Sequence, residues 1–216
     1  VKKIVGTGVL LVLALALQAG VKMYTLKSPD GKVKLEVTAG QGIAYSLFYD
    51  GRLLLKPSRI ALHTDLPEAD HWENIRITGT KQRHVSETVQ APFYRVKEFG
   101  IDCNELELRL NNGFSLLMRA YNDGMAYRFV AGRKGEMTVV EERAEFNFAD
   151  DFEAYIPYST NPKDPWNMAF QNFYTKAPLT QYNTELPAFF PLTVDAGAVK
   201  LTLLESDLEA YPGMFV

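Results

Sequence analysis

LELRLNNGFSLLMRAYNDGMAYRFV, residues 106–130, decides the fold. Leu106, Leu108 and Leu110 alternate with Glu107 and Arg109, which turns one side of the segment to a core and the other to water. Asn111-Asn112-Gly113 then supplies the φ > 0 residues of a tight turn, and Asn122-Asp123-Gly124 supplies them again, so Phe114 to Val130 folds back about Asp123-Gly124. Reversals this close predict consecutive antiparallel strands.

The same grammar runs outward in both directions. Val33-Lys34-Leu35-Glu36-Val37, Ile75-Arg76-Ile77-Thr78 and Val199-Lys200-Leu201-Thr202-Leu203 alternate apolar and polar side chains. Pro29-Asp30-Gly31 marks another turn, and Tyr45 to Leu55 folds about Asp50-Gly51. Beyond the first twenty or so residues no window of about twelve carries the 3.6-residue apolar stripe of a helix. The chain therefore reads as β from Tyr24 to Ile156. Strands about every 8–12 residues with turns between them predict an all-β protein, best built as two large antiparallel sheets packed face to face.

Composition excludes several classes. The chain has 216 residues, 47% hydrophobic, enough apolar matter to fold without staples and too much for a disordered chain. A formal charge of −3 and no basic run of four or more leave no electrostatic footprint for nucleic acid. A single cysteine, Cys103, rules out a disulfide scaffold and cysteine-based zinc sites.

Residues 1–20 read as a secretory signal peptide. Lys2 and Lys3 precede an apolar run from Ile4 to Leu17, and Gln18-Ala19-Gly20 offers small residues for cleavage. That run is short for a membrane span, so no stable membrane anchor is expected. The expected product is a single β domain over residues 21–216, periplasmic or secreted, with Cys103 buried away from oxidants.

Composition shifts at Pro157. Residues 157–191 hold six of the eleven prolines and only four charges, yet carry eight aromatic side chains. A segment so apolar is poorly suited to a solvated loop. Trp166, Phe170, Phe173 and Tyr174 are the candidates for a sugar-stacking rim or an interface with another domain. The plainer alternative is a loop packed over an open face of the sandwich.

Catalytic motifs are scarce. His63, His71 and His84 match no metal-binding spacing, and Ser46 and Ser159 lack a nucleophile elbow. Glu141-Glu142 and Asp150-Asp151 are sequence neighbours, which on a strand face opposite sides, so neither is a ready acid–base couple. Asp150, Asp151 and Glu153 offer oxygens to a hard cation without a diagnostic spacing. Trp72 reads as a core tryptophan. Residue chemistry alone does not make this chain an enzyme.

A set of ordered segments changes that reading. Ser28-Pro29-Asp30-Gly31, Tyr45-Ser46 through Tyr49-Asp50-Gly51 to Pro57-Ser58, Arg119 through Phe129, Pro191-Leu192-Thr193-Val194, and Glu205-Ser206-Asp207-Leu208 with Tyr211-Pro212-Gly213-Met214 resemble the opening of glycoside hydrolase family 97. The resemblance implies a secreted, calcium-dependent α-glucosidase or α-galactosidase. It also implies three parts: an N-terminal β-super-sandwich of galactose-mutarotase-like type, a central (β/α)8 barrel with the catalytic carboxylates, and a small C-terminal β domain. This chain covers the first part, so no catalytic residue carries over. Some members place a calcium-binding Glu three residues before a Tyr-Thr pair. Tyr174-Thr175 puts Gln171 there, a neutral amide with Asn172 next to it, and the resemblance implies a calcium site completed by the barrel.

The C-terminus points the same way. Met214-Phe215-Val216 ends the sequence on apolar residues with no evident partner, from which a truncated record with a barrel encoded downstream is expected. The leading expectation is a non-catalytic N-domain of an exported α-glycosidase, packing on the barrel and acting with it on an oligosaccharide or α-glycoside. The alternative is a stand-alone carbohydrate-binding sandwich, and an aldose epimerase is a distant third.

Overall fold

The computed structural model describes residues 21–159, 161, 163–164, 172–206, 208, 211 and 213–216. The signal peptide expected over residues 1–20 lies outside them.

Val33, Leu35, Val37 and Ala39 are buried while their neighbours are partly exposed, so β2 (Val33–Gly40) turns one apolar side inward. With β1 (Lys22–Lys27), β3 (Gly42–Tyr49), β4 (Arg52–Thr64) and β9 (Val139–Ala144) it forms an antiparallel sheet in the order β1-β2-β3-β4-β9. A second antiparallel sheet runs β5-β6-β7-β8, built from β5 (Ile77–Gln90), β6 (Glu98–Leu110), β7 (Phe114–Tyr121) and β8 (Gly124–Ala131). A third joins β10 (Glu153–Ile156), β11 (Thr175–Pro178), β12 (Leu192–Asp195) and β13 (Lys200–Leu203) in the order β11-β10-β12-β13. The protein is all-β and its sheets are antiparallel, as the alternation predicts.

The chain falls into two compact units, with the division between Asn147 and Phe148. In the first unit β1 and β2 lie against β6 and β7. Leu35, Val37, Ile43 and Tyr45 from one sheet, and Leu106, Leu108, Leu116 and Met118 from the other, are withdrawn from solvent between them. Burying a side chain of this size contributes about 1.5–3 kcal/mol. Trp72, on the segment joining β4 to β5, is 5% exposed, and its indole Nε1–H donates to the Leu62 carbonyl at 3.0 Å. Its ring packs on Phe114 and edge-on to Phe129 at 5.2 Å. It is a core tryptophan, as its surroundings in sequence imply.

The hairpins form where the turn residues fall. Asp50 and Gly51 both take positive φ, at 49° and 78°, the pairing a two-residue hairpin prefers. Gly31 and Gly113 also take positive φ, but no residue of 122–124 does. There β7 and β8 pair from Tyr121 to Gly124 around Asn122 and Asp123, and the Asn122 Oδ1 accepts the Asp30 N–H at 3.0 Å.

Glu105 is a buried charge that the alternation does not foretell. It sits on β6, opposite Arg83 of β5 and Arg119 of β7. Its two carboxylate oxygens accept from Arg83 Nε at 2.6 Å and Arg119 Nε at 2.8 Å, although the residue is only 5% exposed. Burial opposes ionisation of Glu105, yet the two arginine hydrogen bonds outweigh it and hold the carboxyl below its ordinary range. Cys103, two residues earlier, is free and buried as expected, and burial raises its thiol pKa.

The second unit has its own core of Ala154, Ile156, Tyr158, Ala188, Leu192 and Val194. Val216 packs against it and exchanges both backbone hydrogen bonds with Ala188, at 2.7 and 3.0 Å. Phe215 meets Phe189 edge-on at 5.2 Å. The expectation that Met214–Val216 lacks partners is therefore corrected: sequence adjacency hides a pairing made across 28 positions.

Candidate functional site

Residues 157–191 are not one irregular loop. Their described residues contain β11, a 3-10 turn over Leu179–Gln181, and a bridge from Tyr158 to Ala188. Apolar side chains with a sheet beside them are drawn in: Leu179, Tyr182, Leu186 and Phe190 pack against the core of the second unit. Tyr158 is pinned at both ends. Its hydroxyl accepts the Asn183 N–H at 2.7 Å, and its carbonyl accepts the Asn172 side-chain amide at 3.0 Å. Part of the aromatic content thus covers the unit's own sheet, the plainer of the two readings.

Phe173 and Tyr174 are different. Phe173 is wholly exposed and Tyr174 is 46% exposed. Tyr174 also lines a small cavity of about 110 Å³ with Tyr158, Asn172, Phe189 and Pro191. Two aromatic side chains held open to solvent beside an amide-bearing concavity can stack on the apolar face of a sugar ring or on another protein surface. Among the aromatic residues proposed for the rim, Trp166 and Phe170 lie outside the described residues, as does Gln171, the candidate calcium ligand.

The hydroxyl of Tyr182 is buried with no hydrogen-bond partner among the described residues, and burial, reinforced by Tyr158, pushes its pKa up to about 12. Tyr158 and Tyr182 lie with ring centroids 5.3 Å apart. This pair was not legible in the sequence, where the two tyrosines stand 24 positions apart.

The acidic and histidine candidates do separate jobs. The Asp151 carboxylate accepts the Thr180 N–H and hydroxyl at 2.9 and 2.8 Å, and Glu153 pairs with Lys176 at 2.8 Å. Asp150 accepts the N–H of Asp151 at 2.9 Å. His63 bonds Asp70 at 2.6 Å, whereas His84 meets Asp102 and Asn104 at 3.0 Å. Among the described residues no group of three His, Cys, Asp or Glu side chains converges as a metal cage. Asn172 has its amide nitrogen committed to Tyr158, which leaves one neutral oxygen. The described residues do not by themselves fit a calcium site.

A profile described as "Glycosyl-hydrolase 97 N-terminal" matches residues 26–216. A retaining alpha-galactosidase of Bacteroides thetaiotaomicron is 40% identical over 209 residues, covering 94% of this chain and 31% of that protein. A probable retaining alpha-galactosidase of Streptomyces bingchenggensis is 26% identical over 158 residues, covering 71% of this chain and 24% of its own length. Among solved structures, a glycoside hydrolase family 97 enzyme in complex with panose, from Pseudoalteromonas sp. strain K8, superposes with a TM-score of 0.64 at 19% identity. That match covers 79% of this chain and 26% of the other. A beta-arabinopyranosidase gives a TM-score of 0.65 at 22% identity, over 79% of this chain and 31% of its own. Likeness at these identities shows the fold. The chain spans about a third or less of the length of the curated relatives it matches.

Proposed function

Because the chain belongs to the glycosyl-hydrolase 97 N-terminal family, we propose that it is the non-catalytic N-terminal part of an exported α-galactosidase, with the reacting carboxylates on polypeptide beyond this segment. The observation that carries the choice of substrate is the 40% identity, across 94% of the chain, to a retaining alpha-galactosidase. The family resemblance alone leaves glucoside and galactoside open.

In this reading the chain supplies shape and contact rather than bond-breaking groups. Phe173 and Tyr174 form part of the rim beside the substrate or against the catalytic part, and they lead directly into β11, which pairing with β10 fixes from Thr175 onward. Calcium belongs to the proposal as an ion bound chiefly by groups elsewhere, with Gln171 as the contribution of this chain. No step of the reaction is assigned to it.

The test uses nitrophenyl glycosides. Residues 21–216 alone are expected to hydrolyse neither the α-galactoside nor the α-glucoside, and the whole gene product to favour the α-galactoside by tenfold or more in kcat/KM. Hydrolysis by residues 21–216, or a preference for the α-glucoside, would overturn the proposal. Phe173→Ala is expected to raise KM of the whole product three- to tenfold while leaving its melting midpoint unchanged. An exposed ring contributes little to folding, since such substitutions usually stay within about 0.5 kcal/mol. A fallen midpoint with unchanged KM would assign Phe173 to the contact with the catalytic part and remove it from the substrate rim.

A further inference from the structure

The β5–β6 hairpin is longer than the sheet that carries it. The two strands pair from Ile77–Leu110 to Gln90–Glu98, but β7 pairs with β6 only from Cys103 to Arg109. Beyond that point Ser86–Gln90 and Glu98–Asp102 run on as a two-stranded ribbon closed by residues 91–97. Five large apolar side chains are exposed there: Phe93 at 98%, Tyr94 at 71%, and Val89, Val96 and Phe99 at 42–53%. They make one patch at the outer end of the arm, because Val89 and Phe99 are cross-strand partners and Phe93, Tyr94 and Val96 sit in the turn between them.

The tip is built rather than frayed. Ala91 N–H donates to the Lys97 carbonyl at 2.7 Å and Tyr94 N–H to the Ala91 carbonyl at 3.1 Å. Lys97 Nζ donates to the Pro92 carbonyl at 2.6 Å, and Gln90 Nε2 to Glu98 Oε1 at 2.9 Å. A two-stranded ribbon is marginal in water on its own, and a fixed turn presenting aromatic rings to solvent has the form of an interaction surface.

We infer that this arm docks onto the part of the same polypeptide that the relatives carry beyond the matched segment. Area favours that occupant over a second copy. With aromatic side chains contributing roughly 150–250 Å² each when fully exposed, the tip offers on the order of 500 Å². Two such tips meeting across a twofold axis bury about 1,000 Å², below the roughly 1,200–2,000 Å² of a stable interface between separate chains. A contact within one chain needs less, because the covalent link already holds the partners near each other. The relatives have the polypeptide to supply it, since the matched segment is 31% of the Bacteroides protein. The inference rests on the proposed reading only in requiring that longer chain.

Hydroxyl-radical footprinting of the whole gene product tests it. Phe93 and Tyr94 are expected to be labelled at least fivefold more slowly than their exposure in this structure implies, with the same protection at every protein concentration. Labelling at the rate of free aromatic side chains overturns the docking. So does protection that disappears on dilution, which would assign the arm to a second copy. Activity is read separately: protection in a product without glycosidase activity supports the docking while the functional proposal fails. Full activity with an unprotected tip has the opposite meaning.

Discussion

Trp72→Ala is expected to destabilise the first unit by about 3–5 kcal/mol, which lowers the melting midpoint by roughly 6–20 °C. Two losses combine. The indole fills space against Phe114 and Phe129, and its removal leaves a cavity beside both rings. Its Nε1–H also satisfies the Leu62 carbonyl, which would be left without that donor. Trp72→Phe separates the two, because it keeps most of the apolar volume and removes the donor. Its cost is expected to be about half or less of that of the alanine variant. Thermal or urea unfolding of residues 21–216 measures both. An alanine variant within about 1 kcal/mol of the parent would mean that the loop carrying Trp72 collapses freely, and the packing argument would be wrong.

Replacing Glu105 has the next largest expected effect, at about 1–3 kcal/mol for Glu105→Ala. The carboxylate lies between arginines on the two neighbouring strands, and its removal takes away the counter-charge that Arg83 and Arg119 share. The loss falls below that of a fully buried ion pair because the arginine side chains are 53% and 29% exposed and water can screen them. Arg119→Ala should be more damaging than Arg83→Ala, in keeping with those exposures and with the further bond of Arg119 to Tyr121, which strengthens its charged form.

Glu105 also gives stability a pH dependence of definite sign. Its folded pKa lies below its unfolded value, so the unfolded chain binds the proton first as pH falls. The stabilisation is complete above the ordinary glutamate range. It is lost as pH drops from there through the depressed value. Glu105→Gln should therefore lower the midpoint at pH 7 and flatten its fall in acid. A parent and a Glu105→Gln variant with parallel profiles between about pH 3 and 7 would show that the arginine bonds contribute nothing net.

How far the sequence reached can be read from particular elements. Leu106–Leu110 was legible because each second residue is apolar, and the structure extends that strand back to Glu98 through a change of phase at Asn104-Glu105, where the apolar set Phe99, Ile101 and Cys103 gives way to Leu106, Leu108 and Leu110. Ile75 was expected to open a strand and is instead a buried residue just ahead of β5. The aromatic stretch from Pro157 was recognised as unusual, but composition cannot say which rings turn inward. Only the sheet beside them decides that Tyr182 and Phe190 pack while Phe173 stands in solvent.

By itself the sequence determined the strand class, the turns and the family, because alternation, turn chemistry and segment order are local properties of the chain. Tertiary structure alone decided that Glu105 answers two arginines from neighbouring strands, that Val216 pairs with Ala188, and that the β5–β6 hairpin outruns its sheet. Each of these depends on register between segments distant in sequence. Register is set by which faces are buried together and by where a neighbouring strand ends, and no single segment carries that information.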